Sequence, residues 1–201
     1  MFSELFDVLS LTYFFLSAII FVGGLYYGPI AVEKEITVLL RYPRWIHDTM
    51  ERYFKTDFHF LLIFFLIFIL NNVSLFSGFI SGFIIIGPLL AAFYTGFNVS
   101  VITFDMMGWK GIWHILTNPV AWLEFPAAWI SFGLGFQIAE LQMLAFNSPD
   151  TFALFDSMLP IYISYVAGLL LVAAIVETGI IVIGRKMMDT MEKDDDESQD
   201  N

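Results

Sequence analysis

Long apolar runs alternate with short polar segments along most of the chain. Five of these runs approach the ~20 residues that an α-helix needs to cross about 30 Å of hydrocarbon. The pattern therefore predicts an all-α, polytopic transmembrane helical bundle of about five spans. The predicted spans are Leu11–Val32, His59–Leu75, Gly78–Phe104, Pro119–Leu144 and Leu159–Gly184.

Small polar residues interrupt the apolar pattern between the second and third predicted spans. Such a cluster is typical of a tight turn or of a polar break within the membrane. Either interpretation ends the second helix near Leu75 and begins the third near Gly78. The cluster consists of Asn71, Asn72, Ser74 and Ser77.

The segment from about Leu39 to Lys55 has a helical period of its own. At 100° per residue its apolar and charged side chains fall on opposite faces, which predicts an amphipathic helix with Pro43 in its first turn. The helix either lies on the inner membrane surface or packs on the bundle as a connector, and both placements permit contact with lipid headgroups. The apolar face holds Leu39, Tyr42, Ile46, Met50 and Tyr53, and the charged face holds Arg41, Arg44, Asp48, Glu51, Arg52 and Lys55.

Composition supports a protein that lies almost entirely in the membrane. Of the 201 residues, 58% are hydrophobic and 14% are charged, whereas soluble domains have about 25% charged residues. We therefore expect one bundle over residues 1–184, followed by an acidic cytoplasmic tail, 185–201, without order. The absence of cysteine excludes disulfides and thiol catalysis. The first apolar run has no basic region before it, so it is interpreted as a retained span rather than a signal peptide.

The positions of the basic residues predict the orientation. With five spans, all nine Lys and Arg residues lie on one side of the membrane. The positive-inside rule makes that side cytoplasmic. The sequence thus predicts a multi-pass cell-membrane protein with its N-terminus outside and its C-terminus in the cytoplasm. The nine residues are Lys34, Arg41, Arg44, Arg52, Lys55, Lys110, Arg185, Lys186 and Lys193.

Small residues recur at every fourth position in several spans. Such stripes let helix backbones approach each other closely in a membrane. They pack spans within one chain, or they join two chains, so a homodimer is compatible with the pattern. The predicted packing residues are Gly78, Gly82 and Gly96 in the third span, and Ala127, Ser131 and Gly135 in the fourth.

Two carboxylates, Glu124 and Glu177, are predicted at similar depth near the inner ends of the fourth and fifth spans. Charged groups are costly inside a membrane and are therefore candidate functional groups. They form structural hydrogen bonds between helices, or a proton or cation site of a transporter, or an acid–base pair of an enzyme. The structural interpretation is favoured, and the amides Asn71, Asn72 and Asn98 fit it too.

The sequence contains no motif for a nucleotide, a metal or a nucleic acid. His59 and His114 do not have metal-ligand spacing. We therefore expect no enzymatic activity, no cofactor and no nucleic-acid partner. The expected partners are membrane lipids and other membrane proteins.

The chain resembles the stage II sporulation protein M family of membrane proteins over roughly Asn71 to Ala139. The stretch PVAWLEFPA, Pro119 to Ala127, falls where that family has Pro-His-Gly-x-x-Glu-Leu-Pro-Ala, and TGFNVS, Thr95 to Ser100, falls where it has an Asn-Gly helix. The departures are Val120 for the family His, Ala121 for Gly, Phe125 for Leu and Thr95 for Asn.

The resemblance implies a non-enzymatic membrane protein that acts with envelope partners, and the His departure argues against a His-dependent role. Combined with the amphipathic helix, it predicts a membrane scaffold or membrane-shaping protein. The alternative is a transporter or permease subunit that works with a separate cytosolic ATPase.

Overall fold

The chain is an all-α bundle, as the sequence predicts. The computed structural model describes residues 2–54, 59–146 and 148–199, and within these ranges it contains helices and no strand. The helices are α1 (Phe2–Val8), α2 (Leu11–Glu33), α3 (Thr37–Phe54), α4 (Phe60–Ile80), α5 (Gly87–Met107), α6 (Trp109–Thr117), α7 (Ala121–Leu144), α8 (Pro149–Ile161) and α9 (Gly168–Gln199).

Four helical stretches among the described residues are long and apolar enough to cross a membrane, which indicates a membrane protein. They are Leu11–Glu33, Phe60–Phe83, Gly87–Met107 and Pro149–Arg185. The prediction of five such spans is therefore one too many by composition. The helix outside this set is α7, which has 24 residues but is less apolar because it carries two glutamates and two glutamines. These residues are Glu124, Gln137, Glu140 and Gln142.

The five long helical units nevertheless alternate in direction. Ser17 Oγ donates to the Trp129 carbonyl (2.8 Å), and the Ser10 amide donates to Gln137 Oε1 (3.0 Å), so α2 and α7 are antiparallel. Asn71 of α4 bonds to Glu124 of α7, and further along both helices Ser131 Oγ donates to the Leu75 carbonyl (2.6 Å). The contacts follow in the same order along both helices, so α4 and α7 are parallel. The carboxyl ends of α2, α5 and α9 therefore share one end of the bundle with the amino ends of α4 and α7.

We call this end the basic end, because basic residues lie there. It also carries the two shorter helices α3 and α6, which follow α2 and α5 along the chain. The described residues include eight of the nine basic residues, and all eight follow α2 or α5 along the chain or lie in the carboxyl-terminal half of α9: Lys34, Arg41, Arg44, Arg52, Lys110, Arg185, Lys186 and Lys193. Lys55 lies outside the described residues.

The boundary predicted between the second and third spans is wrong. Helix α4 continues through the polar cluster to Ile80, and the turn falls at residues 81–86. The polar side chains are accommodated because they hydrogen-bond to their own helix: Asn72 Nδ2 donates to the Phe68 carbonyl (2.9 Å) and Ser77 Oγ to the Val73 carbonyl (2.7 Å). Gly78 consequently lies in the last turn of α4 and Gly82 in the turn itself, so neither begins the next helix.

The last span begins earlier than predicted and has an irregular middle. α8 begins at Pro149, with the Ser148 hydroxyl accepting the Asp150 amide (3.2 Å) as a cap. A π-helical segment, Tyr162–Ala167, joins α8 to α9. The structure continues α9 as helix to Gln199, where the sequence predicts a tail without order; the good helix formers Met, Glu and Lys in this stretch favour that extension.

Helix α3 confirms the prediction of a helix from about Leu39 to Lys55, with two corrections. It begins at Thr37, so Pro43 lies inside the helix rather than in its first turn. Its bundle-facing residue is Leu40, which is buried with Ala31, Phe97 and Val101. The predicted apolar face, by contrast, is partly exposed at Leu39 and Tyr42, because this helix packs at the bundle end along only a narrow line.

Helix α7 is the centre of the bundle, with 13 of its 24 residues buried. Glycines allow the closest approaches between helices. A Cβ atom on Gly24 would meet the Phe93 carbonyl of α5, and one on Gly82 would meet the Gly135 carbonyl of α7. Gly78 and Gly96 likewise face a neighbouring helix of the same chain, at Phe132 and Phe21. The predicted small-residue stripes therefore pack helices within one chain.

Candidate functional site

Asn71 and Glu124 meet halfway along the bundle. Asn71 Nδ2 donates a hydrogen bond of 2.7 Å to Glu124 Oε1. Asn71 is close to the midpoint of α4, and their neighbour Phe21 is close to the midpoint of α2. Glu124 lies in the first turn of α7, which agrees with its predicted position near the start of its span. Because α6 precedes α7 at the basic end, this first turn lies deeper in the bundle than the amino end of α4.

A cavity of about 100 Å³ lies beside this hydrogen bond. Several water molecules fit into such a volume, because one needs only about 10–15 Å³ of this kind of space. Five helices contribute to its wall, so the site exists only in the assembled bundle. The lining residues are Phe21, Asn71, Ser74, Leu75, Thr95, Val99, Glu124, Phe125, Ala128 and Leu170.

Four of the lining side chains are polar, and each carries an oxygen atom: Asn71, Ser74, Thr95 and Glu124. The Thr95 hydroxyl donates to the Ala91 carbonyl (2.7 Å), which leaves its lone pairs as acceptors. Because Asn71 uses its Nδ2 on Glu124 Oε1, its own Oδ1 is an acceptor, and so is Glu124 Oε2. The cavity therefore offers hydrogen-bond acceptors in excess of donors.

Ser74 is the exposed polar residue of the cavity lining, whereas Asn71, Thr95 and Glu124 are half-buried. The residue before it on α4, Val73, is apolar and 59% exposed. The polar groups of the wall thus extend from the exposed surface of α4 into the bundle.

The other predicted site residues lie elsewhere. Asn72 Nδ2 is bonded within α4, and the Asn72 carbonyl accepts the Tyr162 hydroxyl (3.1 Å). Asn98 lies on α5, and its Oδ1 is buried without a partner among the described residues. Glu177 is half-buried on α9, seven residues or about two turns beyond Leu170 toward the basic end. It is near enough to Glu124 for the two charges to interact, but it does not share Glu124's depth as predicted.

A second feature is the outer surface of α3 at the basic end. Val38, Tyr42 and Trp45 are spaced four and three residues apart, so they share one face, and they are 85%, 57% and 58% exposed. The rings of Tyr42 and Trp45 stack with centroids 6.1 Å apart. Arg44 and Asp105 fasten α3 to α5 through two bonds of 2.7 and 2.9 Å.

Helix α6 presents a similar stripe, which the sequence analysis missed. Trp109, Trp113 and Leu116 have the same spacing and are 55%, 69% and 46% exposed. The sequence contains the signal, because Trp109, Ile112, Trp113 and Leu116 follow the i, i+3, i+4, i+7 spacing of one helix face. A helix of nine residues is nevertheless too short to stand out beside spans of about 20 residues. The basic end therefore has two amphipathic helices whose apolar stripes are about half exposed or more.

The described residues contain no group of three or more His, Cys, Asp or Glu side chains suited to a metal ion. Comparison of the chain with protein families, with curated proteins and with solved structures finds no match.

Proposed function

We propose that this chain is a non-enzymatic scaffold or membrane-shaping protein of the cell membrane, with its N-terminus outside and its C-terminus in the cytoplasm. The observation that carries the proposal is the pair of exposed apolar stripes on α3 and α6, both at the basic end. Under the positive-inside rule this end faces the cytoplasm.

Helices of this kind insert shallowly into one leaflet. The apolar stripes reach below the headgroups, while nearby basic residues such as Arg41 and Lys110 attract anionic lipids. Two such insertions at one end of a bundle add area to the inner leaflet only. Lipids are therefore the first expected partner, and two apolar grooves of about 230 and 550 Å³ along the helices suit acyl chains.

The packing of the bundle also favours a scaffold. The close approaches at Gly24, Gly82 and Gly96 bring backbones into direct contact and resist sliding of one helix past another. The resemblance to the stage II sporulation protein M family points to the same class and to other membrane proteins as partners. A homodimer would need a surface other than these glycine stripes, because they pack helices of one chain.

Sorting between flat and curved membranes tests the proposal. The purified chain, labelled with a fluorophore, is reconstituted into giant vesicles, and its density is compared between the vesicle and a thin tether pulled from it. We expect enrichment on the highly curved membrane where the basic end faces the convex leaflet. A double variant, Trp45→Ser with Trp113→Ser, should lose the enrichment, whereas Ile19→Ser, an exposed position in α2, should keep it. Equal density of the unmodified chain on tether and vesicle would refute a membrane-shaping role.

The alternative proposal is a permease subunit that works with a separate cytosolic ATPase. The observation that favours it is the cavity beside Glu124, since carboxylates at mid-membrane mark transport paths. Isolation of the tagged native protein in mild detergent, followed by mass spectrometry, separates the two. A stoichiometric ATPase supports the permease, and envelope-remodelling proteins or the chain alone support the scaffold.

A further inference from the structure

The cavity at mid-height holds one carboxylate among neutral oxygen atoms. The oxygen-bearing side chains of its wall are Glu124, Asn71, Ser74 and Thr95, and Asn71 Nδ2 donates to Glu124 Oε1. This oxygen-only set comes from α4, α5 and α7, so no single helix forms it. Hard cations are bound in proteins by carboxylate, carbonyl, hydroxyl and water oxygens of this kind.

Charge and space restrict the choice of ion. An unpaired charge in a low-dielectric interior is strongly unfavourable, so one carboxylate is best neutralised by one unit of positive charge. Among the described residues, the cavity wall contains no basic side chain, and the donor to Glu124 Oε1 is the neutral amide of Asn71. Glu177 interacts with Glu124 through its charge but is not part of the cavity wall, so the wall itself supplies one negative charge, which a monovalent ion balances.

We infer that this cavity binds a monovalent metal cation, with Na⁺ as the expected ion, held by Glu124, Asn71, Ser74 and Thr95 together with water. A bound ion joins α4, α5 and α7, the three helices that carry these residues. The Asn71 amide keeps its donor bond to one oxygen of the carboxylate and turns its carbonyl to the ion. The inference goes beyond the proposed scaffold function and does not depend on it.

Thermal unfolding in detergent and retention of radioactive Na⁺ test the inference on the full chain. At constant ionic strength, 200 mM NaCl is compared with 200 mM choline chloride, because choline is too large for the cavity. We expect NaCl to raise the Tm by about 3–5 °C, as a ligand does when present well above its Kd. We also expect about one Na⁺ ion to be retained per chain.

Matched variants assign the effect to the cavity. Glu124→Gln should abolish both the Tm difference and the retained ion, whereas Glu140→Gln should keep both, since Glu140 is an exposed carboxylate near the other end of the same helix. Thr95→Val removes one ligand while keeping the side-chain shape, and it should lower the apparent Na⁺ affinity several-fold. This variant also serves if Glu124→Gln fails to fold.

Three results would overturn the inference. One is equal Tm in sodium and choline with no retained ion. Another is a full sodium effect in folded Glu124→Gln or Thr95→Val protein. The third is a Tm that follows pH and ignores sodium, which would show that a proton alone neutralises Glu124.

Discussion

The Asn71 amide is joined to the Glu124 carboxylate by a hydrogen bond of 2.7 Å between the middle of α4 and the first turn of α7. The bond crosses between two parallel helices that are otherwise held by glycine contacts and by the bond from Ser131 to the Leu75 carbonyl. It is thus one of two hydrogen bonds described between α4 and α7, and it is the one that joins two side chains.

Removal of the acceptor should cost more than neutralising it. In Glu124→Gln, the side-chain carbonyl still accepts the Asn71 amide, so we expect little loss of stability in sodium-free detergent. In Glu124→Leu, the Asn71 donor loses its partner, and we expect a loss of about 1–3 kcal/mol. Thermal unfolding followed by tryptophan fluorescence measures both. Equal losses would show that the hydrogen bond contributes nothing to the helix interface.

A larger side chain at Gly135, where α7 contacts α4, should push these two helices apart. A Cβ atom on Gly135 would lie 2.9 Å from the Gly78 carbonyl oxygen and 3.2 Å from Pro88 Cγ. Gly135→Leu should therefore reduce the yield of monodisperse protein, or lower the free energy of unfolding by several kcal/mol, on the order of other overpacked sites. Gly184→Leu is the control, because no atom lies within 4 Å of a Cβ built there. An unchanged Tm in Gly135→Leu would contradict the α4–α7 contact.

The buried amide Asn98 should be dispensable for stability. Its Oδ1 has no hydrogen-bond partner among the described residues, and an unsatisfied buried acceptor costs about 1–3 kcal/mol. Asn98→Leu, which has nearly the same shape, should therefore leave the Tm unchanged or raise it. The matched comparison is Asn71→Leu, which should lower it. A lower Tm for Asn98→Leu would indicate that Asn98 has a partner, such as a bound water, that the bundle needs.

The ion pair between Arg44 and Asp105 should respond to salt rather than to pH. The hydrogen bonds that Arg44 donates to the Asp105 carboxylate raise the pKa of the Arg44 guanidinium above its ordinary value. A raised pKa stabilises the folded state at every pH below the unfolded value, and that stability is lost only as the pH rises through the folded value. The contribution is therefore constant between pH 6 and 9.

Because Arg44 is exposed, the pair is screened by ions and contributes less than about 1 kcal/mol to global stability. Arg44→Ala should instead loosen α3 locally. Hydrogen exchange should become faster over residues 37–49 and remain unchanged in α7. Protection of α3 that varies between pH 6 and 9 at fixed salt would contradict this account.

The sequence predicts the fold class because 20-residue apolar runs leave few other structures in lipid. The prediction of a helix end is wrong where polar side chains hydrogen-bond to carbonyl groups of their own helix. Asn72 and Ser77 suggest a turn by composition, yet each bonds to a carbonyl four residues earlier and the helix continues. Pro88, which begins α5 within its first two residues, is the better marker of that boundary.

The candidate site could be predicted in its parts but not in its assembly. Glu124 and Asn71 stand out as polar residues in apolar runs, and their pairing is compatible with a fastening role for Glu124. Their depth depends on α6, whose nine residues shift the start of α7 into the bundle. Thr95 lines the cavity because α5 packs beside α4. The periodicity of one sequence does not show which face of α5 lies against α4.

The π-helical segment Tyr162–Ala167 sets the rotational phase of the last helix. Met158, Tyr162, Val166, Leu170 and Ala174 are all buried at a constant spacing of four, whereas in an α-helix each step of four residues rotates by ~40° too far. Over four steps the drift would reach about 160° and would turn Ala174 toward lipid. The wider π turn takes up this excess. The wider turn thus keeps these five residues on one buried face along the whole span. Deletion of one residue from the segment would rotate the following helix, which would turn Leu170 out of the cavity wall and Glu177 away from Glu124.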